Sequence, residues 1–542
     1  MSDTEQRGGR RDVLIVAAIA SVISILALVH FFRAGELLLY GDAVAHINIA
    51  RRVFDSRSPG PLQLGTVWLP FPHVAMIPFI VNDWMWRTGV GGAVPSMLAY
   101  VFGVVGVFRL VRGRTSRFPA IFASALYGLN PNLLYMQSTA MNEPIMLAEM
   151  IWAVVYLDEF ARGLFAGSNT AGHVASLAPH QALARCGLVL GAAILTRYDG
   201  WVLAASCGVV ALVLLWRAWP EMGAETRRKT SRSALAFLVF CAVVPALWLS
   251  HNYAISARPL DFLNGPYSAK AIEARTTKPG DPLHPGTHDM KVAAIYFWQS
   301  AKLNIAERPF HLYLTLMVLF GTAVAIRRWR RFGILLLLWL PLPFYSYSVA
   351  YGSVPIFMPV WWPHSYYNVR YGLELLAAFA VFGALPLGLF EARRRTGKIV
   401  AGVAACGILA LLYIPVALAT PISLREARVN SRTRVALEQR LAQILRSTDA
   451  NSTILMFTGE YVGALQRSGI PLRRVISEAV HPDWEVALQE PARRADYIVA
   501  IRGDEVWYAA QLHPQGLRVL ADFQPDGKPR VIVYQSDVRP NP

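Results

Sequence analysis

Apolar runs long enough to cross a bilayer recur along this chain, separated by short charged stretches. Val13 to Phe32 is the first, an uncharged run of about the 20 residues a spanning helix needs. Further runs predict spans near Val94–Leu110, Phe118–Met136, Pro144–Leu157, Cys186–Thr196, Trp201–Trp216 and Ala234–Tyr253. Another ends at Arg327, and Phe332–Ala350, Tyr371–Phe390 and Ile399–Thr420 complete a set of about 11. Long loops follow the first and seventh spans; the second of these is polar and reaches Pro309.

The pattern changes near residue 421. Leu424–Arg446 has helical apolar spacing, with Val435, Leu437, Leu441, Ile444 and Leu445 on one stripe. Short β-rich runs follow at Thr453–Phe457, Tyr497–Ile501 and Val531–Tyr534, with helical patterns at Glu485–Ala495 and Glu505–Leu512 between them. The predicted fold is mainly α: a polytopic transmembrane bundle over residues 1–420, then a small α/β domain over 421–542. No internal repeat or low-complexity tract interrupts it.

Composition agrees with a membrane protein: 54% of residues are hydrophobic and only 16% are charged, too few for a soluble chain of this size. The first apolar run is too long for a signal-peptide core, and no small-x-small site follows it, so it reads as an uncleaved anchor. The four cysteines lie in apolar runs, unsuited to exposed disulfides or a cysteine metal site. The net charge of +17 follows the topology. Residues 421–542 carry 16 basic and 14 acidic side chains, so +15 belongs to the membrane part. There the basic clusters, such as Arg7-Arg10-Arg11, Arg227-Arg228-Lys229 and Arg393-Arg394-Arg395, fall mostly on the side of the N-terminus. The positive-inside rule makes that side cytoplasmic and the C-terminal domain extracytoplasmic, and nucleic acid is not an expected partner.

This topology sorts the acids to one face. Asp42 and His46 follow the first span, Asn142-Glu143-Pro144 opens the fourth, and Asp199 closes the hairpin Arg197-Tyr198-Asp199-Gly200. Ionisable groups at a lipid boundary are costly to desolvate and point to function. Gathered into one cleft, they offer what a group transfer needs: a base, charge neutralisation and a water-poor pocket. Each also has a plainer use. Asp42 is a favoured N-cap, Glu143 complements a helix N-terminus ahead of Pro144, and Asp199 suits a turn. His46 stands one turn from Asp42, where it is either solvated or shares a proton or metal with it. Arg51 and Arg52 suit lipid headgroups or a substrate phosphate. Arg370 suits a phosphate clamp or a snorkelling anchor, and Trp361, Trp362, Tyr366 and Tyr367 read as an interfacial aromatic belt.

The first loop resembles that of the GT-C superfamily of polyprenyl-phosphate-sugar-dependent glycosyltransferases, near the protein O-mannosyltransferase and aminoarabinose transferase branch. Asp42 matches the family's first-loop aspartate, His46 takes the place of its aromatic, and Ala50-Arg51-Arg52-Val53 matches the next stretch. Trp68-Leu69-Pro70-Phe71-Pro72-His73 is similar to its Pro-containing segment, and Asn142-Glu143-Pro144 to its second-loop acid. Asn368-Val369-Arg370-Tyr371-Gly372-Leu373 resembles its Arg-Tyr-x-Leu-Pro motif. Ala43 departs from the usual Glu, and Leu373-Glu374-Leu375 lacks the usual proline.

The resemblance implies a GT-C-like bundle that performs an inverting transfer from a polyprenyl-phosphate-linked sugar to an extracytoplasmic acceptor. Membrane lipid is the second partner. Asp42 is the expected general base and Glu143 the second catalytic carboxylate. His46, Arg51, Arg52, His73, Asp199, Arg370 and Tyr371 are the expected substrate-binding residues. A divalent metal ion is the candidate cofactor, with Asp42, His46 and Glu143 as candidate ligands. A lipid-linked-sugar flippase or transporter is the alternative class.

Overall fold

The structure is a computed structural model that describes residues 3–165, 177–277, 280, 282–389 and 395–538. Phe390, Arg393, Arg394 and residues 166–176, parts of the sequence-based topology, lie outside the described residues.

Among the described residues, eight helices are long and apolar enough to cross a membrane, from Gly9–Arg33 to the helical run that begins at Thr396. The other expected spans are also helical. Glu143–Phe165 and Pro179–Thr196 are continuous, whereas the run at 118–136 is split into Arg117–Gly128 and Pro131–Met136. The split has a local cause. Pro131 cannot continue the preceding helix, and the Asn130 side chain accepts from the backbone of Asn132 and Leu133 to start the next. The chain is thus a multi-pass membrane protein, mainly α.

Two features of the first loop place the site. A helix, Gly41–Arg52, buries Ala43, Val44, Ile47 and Ala50. It packs close against the bundle because Ile47 meets Gly92, where an added Cβ would lie 2.5 Å from the Ile47 side chain. A second short helix, Phe71–Ile80, packs beside it and beside Val90–Arg112. The loop read as polar up to Pro309 instead contains a helix, Met290–Ile305, with Phe297 and Ala301 fully buried. Its apolar residues were masked by the polar stretch before it.

After Arg395–Leu418 the chain turns at Thr420, whose φ is +67°, and enters the helix Ile422–Leu445. Beyond it lie β1 (Ile454–Met456), β2 (Val475–Ile476), β3 (Tyr497–Ile501), β4 (Leu517–Phe523) and β5 (Val531–Ser536), in the order β2-β1-β3-β5-β4. β1 pairs in parallel with β2 and β3, and β5 is antiparallel to β3 and β4. The expected helix over Glu485–Ala495 is two, Asp483–Gln489 and Pro491–Arg494, broken at the proline. One buried cluster runs from the bundle through Leu437 and Leu441 to Ile454 and Val499, so the sheet and the membrane helices share a core.

Candidate active site

Arg370 organises the site. It lies in the 3-10 turn Val369–Leu375, which begins after Asn368 in left-handed backbone (φ +55°). Gly372 lets that turn lie against the buried helix Met290–Ile305, since an added Cβ would lie 2.4 Å from the Ala301 nitrogen. The guanidinium is consequently buried, at 7% exposure, and each of its three nitrogens donates to a different carboxylate. Nη2 reaches Asp42 at 2.5 Å, Nε reaches Glu143 at 3.0 Å and Nη1 reaches Glu426 at 3.1 Å. The Arg370 backbone N–H also donates to Glu426 at 3.1 Å. The rings of Tyr40 and Tyr371 each lie 5.0 Å from the guanidinium. A planar fork with fixed donors serves three partners in this way; an ammonium would not.

The three acids differ in their access to water. Asp42 is 42% exposed, whereas Glu143 and Glu426 are almost completely buried. Asp42 and Arg370 line a cavity of about 1320 Å³ between the first loop, the segment before Asn368 and the C-terminal sheet. Behind Glu143 stands Arg197, 3.6 Å from it and 3.6 Å from Asp199, with its guanidinium 5.2 Å from the Tyr371 ring. Tyr345 Oη accepts from Arg197 at 2.8 Å and donates to Asp199 at 3.1 Å. The acids read from the sequence as separate loop residues are therefore linked through two arginines.

His46 and His73 form a buried pair beside this group. Asn142 Nδ2 lies 3.2 Å from His46 Nε2, and His46 Nδ1 lies 2.8 Å from His73 Nε2. An amide N–H can only donate, so Nε2 of His46 accepts and Nδ1 carries the proton towards His73. Burial, reinforced by the positive charge of Arg197 and Arg370, pushes His46 down to about 3. Burial and its neighbours His46 and Arg52 push His73 well below the ordinary histidine range. Both rings are neutral. They join the two first-loop helices to Asn142, the residue before Glu143.

The remaining expected residues divide. Arg52 lines the cavity. Arg51 is buried elsewhere, donating to Asp55 at 2.8 Å, Asp83 at 2.7 Å and the Ile80 carbonyl at 2.7 Å, which ties the first loop together. The candidate metal ligands do not assemble. Asp42 and Glu143 meet on Arg370, and both His46 nitrogens have protein partners; among the described residues no group of three or more His, Cys, Asp or Glu is placed to hold an ion. Trp362, Tyr366 and Tyr367, read from the sequence as belt residues, line the cavity.

Glu426, Arg197 and Tyr345 were missed. Glu426 carried a signal: an acid between Leu424 and Ala427, on a stretch of the helix that the structure buries. Glu374 is likewise buried, one turn from Arg370, in place of a motif proline.

The crystal structure of ArnT from Cupriavidus metallidurans bound to undecaprenyl phosphate is similar over 98% of this chain and 99% of that one, with a TM-score of 0.59 and 13% identity. The chain has the fold of ArnT. The apo structure of the same protein gives a TM-score of 0.58 at 12% identity, over 97% and 98% of the two chains. The GT-C-like bundle expected from the first loop is the fold found. No protein-family model and no curated protein matches the sequence.

Proposed function

We propose that this chain is a membrane glycosyltransferase that moves a sugar from a polyprenyl-phosphate donor to an extracytoplasmic acceptor with inversion. The observation that carries the reading is the half-exposed Asp42, held by the buried Arg370 in the cavity of an ArnT-like fold. The ArnT structure with undecaprenyl phosphate supports a polyprenyl-phosphate donor.

The arrangement suits a displacement at the anomeric carbon. Asp42 takes the proton of the acceptor hydroxyl or amine. The acceptor atom bonds to the sugar carbon as that carbon's bond to the phosphate oxygen breaks. Charge leaves Asp42 in the same step in which it builds on the departing phosphate. Arg370 Nη2 is then released from a carboxylate that has become neutral and is free for the new oxyanion, a stabilisation confined to the transition state and products. Glu143 and Glu426 stay ion-paired and keep Arg370 oriented. Glu143 also faces Arg197, which with Asp199 and Tyr345 completes the polar wall behind it. No step is assigned to a metal.

The class is tested by incubating the purified chain with radiolabelled undecaprenyl-phosphate sugars and membranes from a deletion strain as acceptor. Label moving from the lipid to an acceptor is expected. Translocation of intact lipid-linked sugar in vesicles, without transfer, would assign the chain to the flippases.

A further inference from the structure

Besides Asp42 and Arg370, the cavity is lined by two chemically different sets of side chains. One is aromatic: Trp68 from the first loop, Tyr267 from the segment after Ala224–Ser256, and Trp362 and Tyr367 from the segment before Asn368. Tyr267, Trp362 and Tyr367 are 47%, 43% and 45% exposed. Burying an aromatic side chain is among the larger gains available to a fold, yet these rings from separate segments are left open around one space.

The other set is a polar strip where the first loop meets the C-terminal sheet. Glu478 accepts from Thr458 through its backbone N–H and its hydroxyl, both at 2.8 Å, which fixes the carboxylate and leaves further lone pairs. Gln63 donates to the Ala479 carbonyl at 3.0 Å. Arg52 donates from Nη2 to the Gln63 carbonyl at 3.3 Å, while its Nε is buried without a partner.

We infer that this juxtaposition of open rings with Arg52 and Glu478 is a subsite for a saccharide, which makes the acceptor of the proposed transfer a glycan or glycosylated molecule. A sugar ring has C–H faces that lie against aromatic side chains and a hydroxyl edge that donates to a carboxylate and accepts from a guanidinium. A hydrocarbon chain in the same place would satisfy the rings but strand Arg52 and Glu478 away from water with polar groups unpaired, which is unfavourable. The inference rests on the glycosyltransferase reading but concerns the acceptor side alone.

The test uses the full chain in lipid nanodiscs, titrated with linear pentasaccharides of mannose, glucose, galactose and N-acetylglucosamine. Binding is followed by saturation-transfer NMR and tryptophan fluorescence. At least one saccharide is expected to saturate. Glu478→Gln and Trp362→Ala should each weaken it by about tenfold or more, the factor that corresponds to 1.4 kcal/mol of lost contact. Both should retain the wild-type thermal transition and undecaprenyl phosphate binding by native mass spectrometry; Tyr267→Ala replaces a variant that fails to fold. No saturable saccharide, binding unchanged in these variants, or saturation only by an unglycosylated peptide would each overturn the inference. Saccharide binding that survives in a chain unable to bind undecaprenyl phosphate would instead sink the donor reading and leave this subsite standing.

Discussion

Arg370 shows how much one side chain can be asked to hold. Its three nitrogens each engage a carboxylate, two of them buried, so the residue serves first as the structural tie of the site. Removing one partner of a buried ion pair leaves uncompensated charge, typically at a cost of about 3–5 kcal/mol. Arg370→Ala should therefore lower the thermal unfolding transition in detergent sharply, and Arg370→Lys should recover little of it, because an ammonium lacks the fork. A Lys variant as stable as wild type would contradict this.

The histidine pair makes a second prediction at the same scale. In the unfolded chain His46 titrates near 6.5, whereas in the fold burial holds it at about 3. Between those values the unfolded state binds more protons, so stability is full above pH 6.5 and is lost as pH falls. From pH 6.5 to 5 the loss is about 2 kcal/mol for His46 alone. Unfolding transitions measured at pH 7 and pH 5 should separate more in wild type than in His46→Gln; equal separations would refute the buried neutral pair. Asp42, His46 and Glu143 were readable in the sequence because polar groups at helix mouths stand out against apolar runs. Arg370 and His73 were readable too, but which residue each would meet was not, and nothing local distinguishes Arg51, tied to Asp55 and Asp83, from Arg52 in the cavity wall.

Among the elements, the helix Ile422–Leu445 ties the C-terminal sheet to the site around Arg370. Ser423 pairs with Asn132 at 2.9 Å, Tyr40 donates to the Ser423 carbonyl at 2.7 Å, and Arg434 donates to the Leu38 and Leu39 carbonyls at 3.0 and 2.8 Å. Glu426 is one turn along from Ser423, so the element that leaves the membrane region also supplies the third carboxylate. Its amphipathic pattern was legible; its contact with Arg370, 56 residues away in sequence, was not. The turn Val369–Leu375 makes the opposite demand. Gly372→Ala would press a methyl into the Ser300–Ala301 backbone, and overpacking of this kind costs about 1–3 kcal/mol. Reduced thermal stability and a larger loss of transfer than of undecaprenyl phosphate binding are expected; unchanged transfer would show that the turn tolerates the shift.

For the whole molecule, hydropathy alone gave the helical bundle, because backbone groups in lipid must be paired within helices and long apolar runs have few other uses. What it could not give is how the bundle closes: Met290–Ile305 depends on packing between distant segments, and the break at Leu129–Asn130, although local in cause, does not interrupt the apolar run that hydropathy reads. Sidedness remains a prediction from the basic clusters. In a cysteine-free chain, Arg502→Cys, an exposed position at the end of β3, should react with a membrane-impermeant maleimide in intact cells. Reaction only after lysis would invert the topology and place Asp42 on the cytoplasmic side.

The most direct measurement compares single-turnover transfer by wild type, Asp42→Asn and Asp42→Glu from one labelled undecaprenyl-phosphate sugar, with donor binding measured on the same samples. The account predicts that Asp42→Asn binds donor and transfers none, with partial return in Asp42→Glu. Near-native transfer by Asp42→Asn would contradict it.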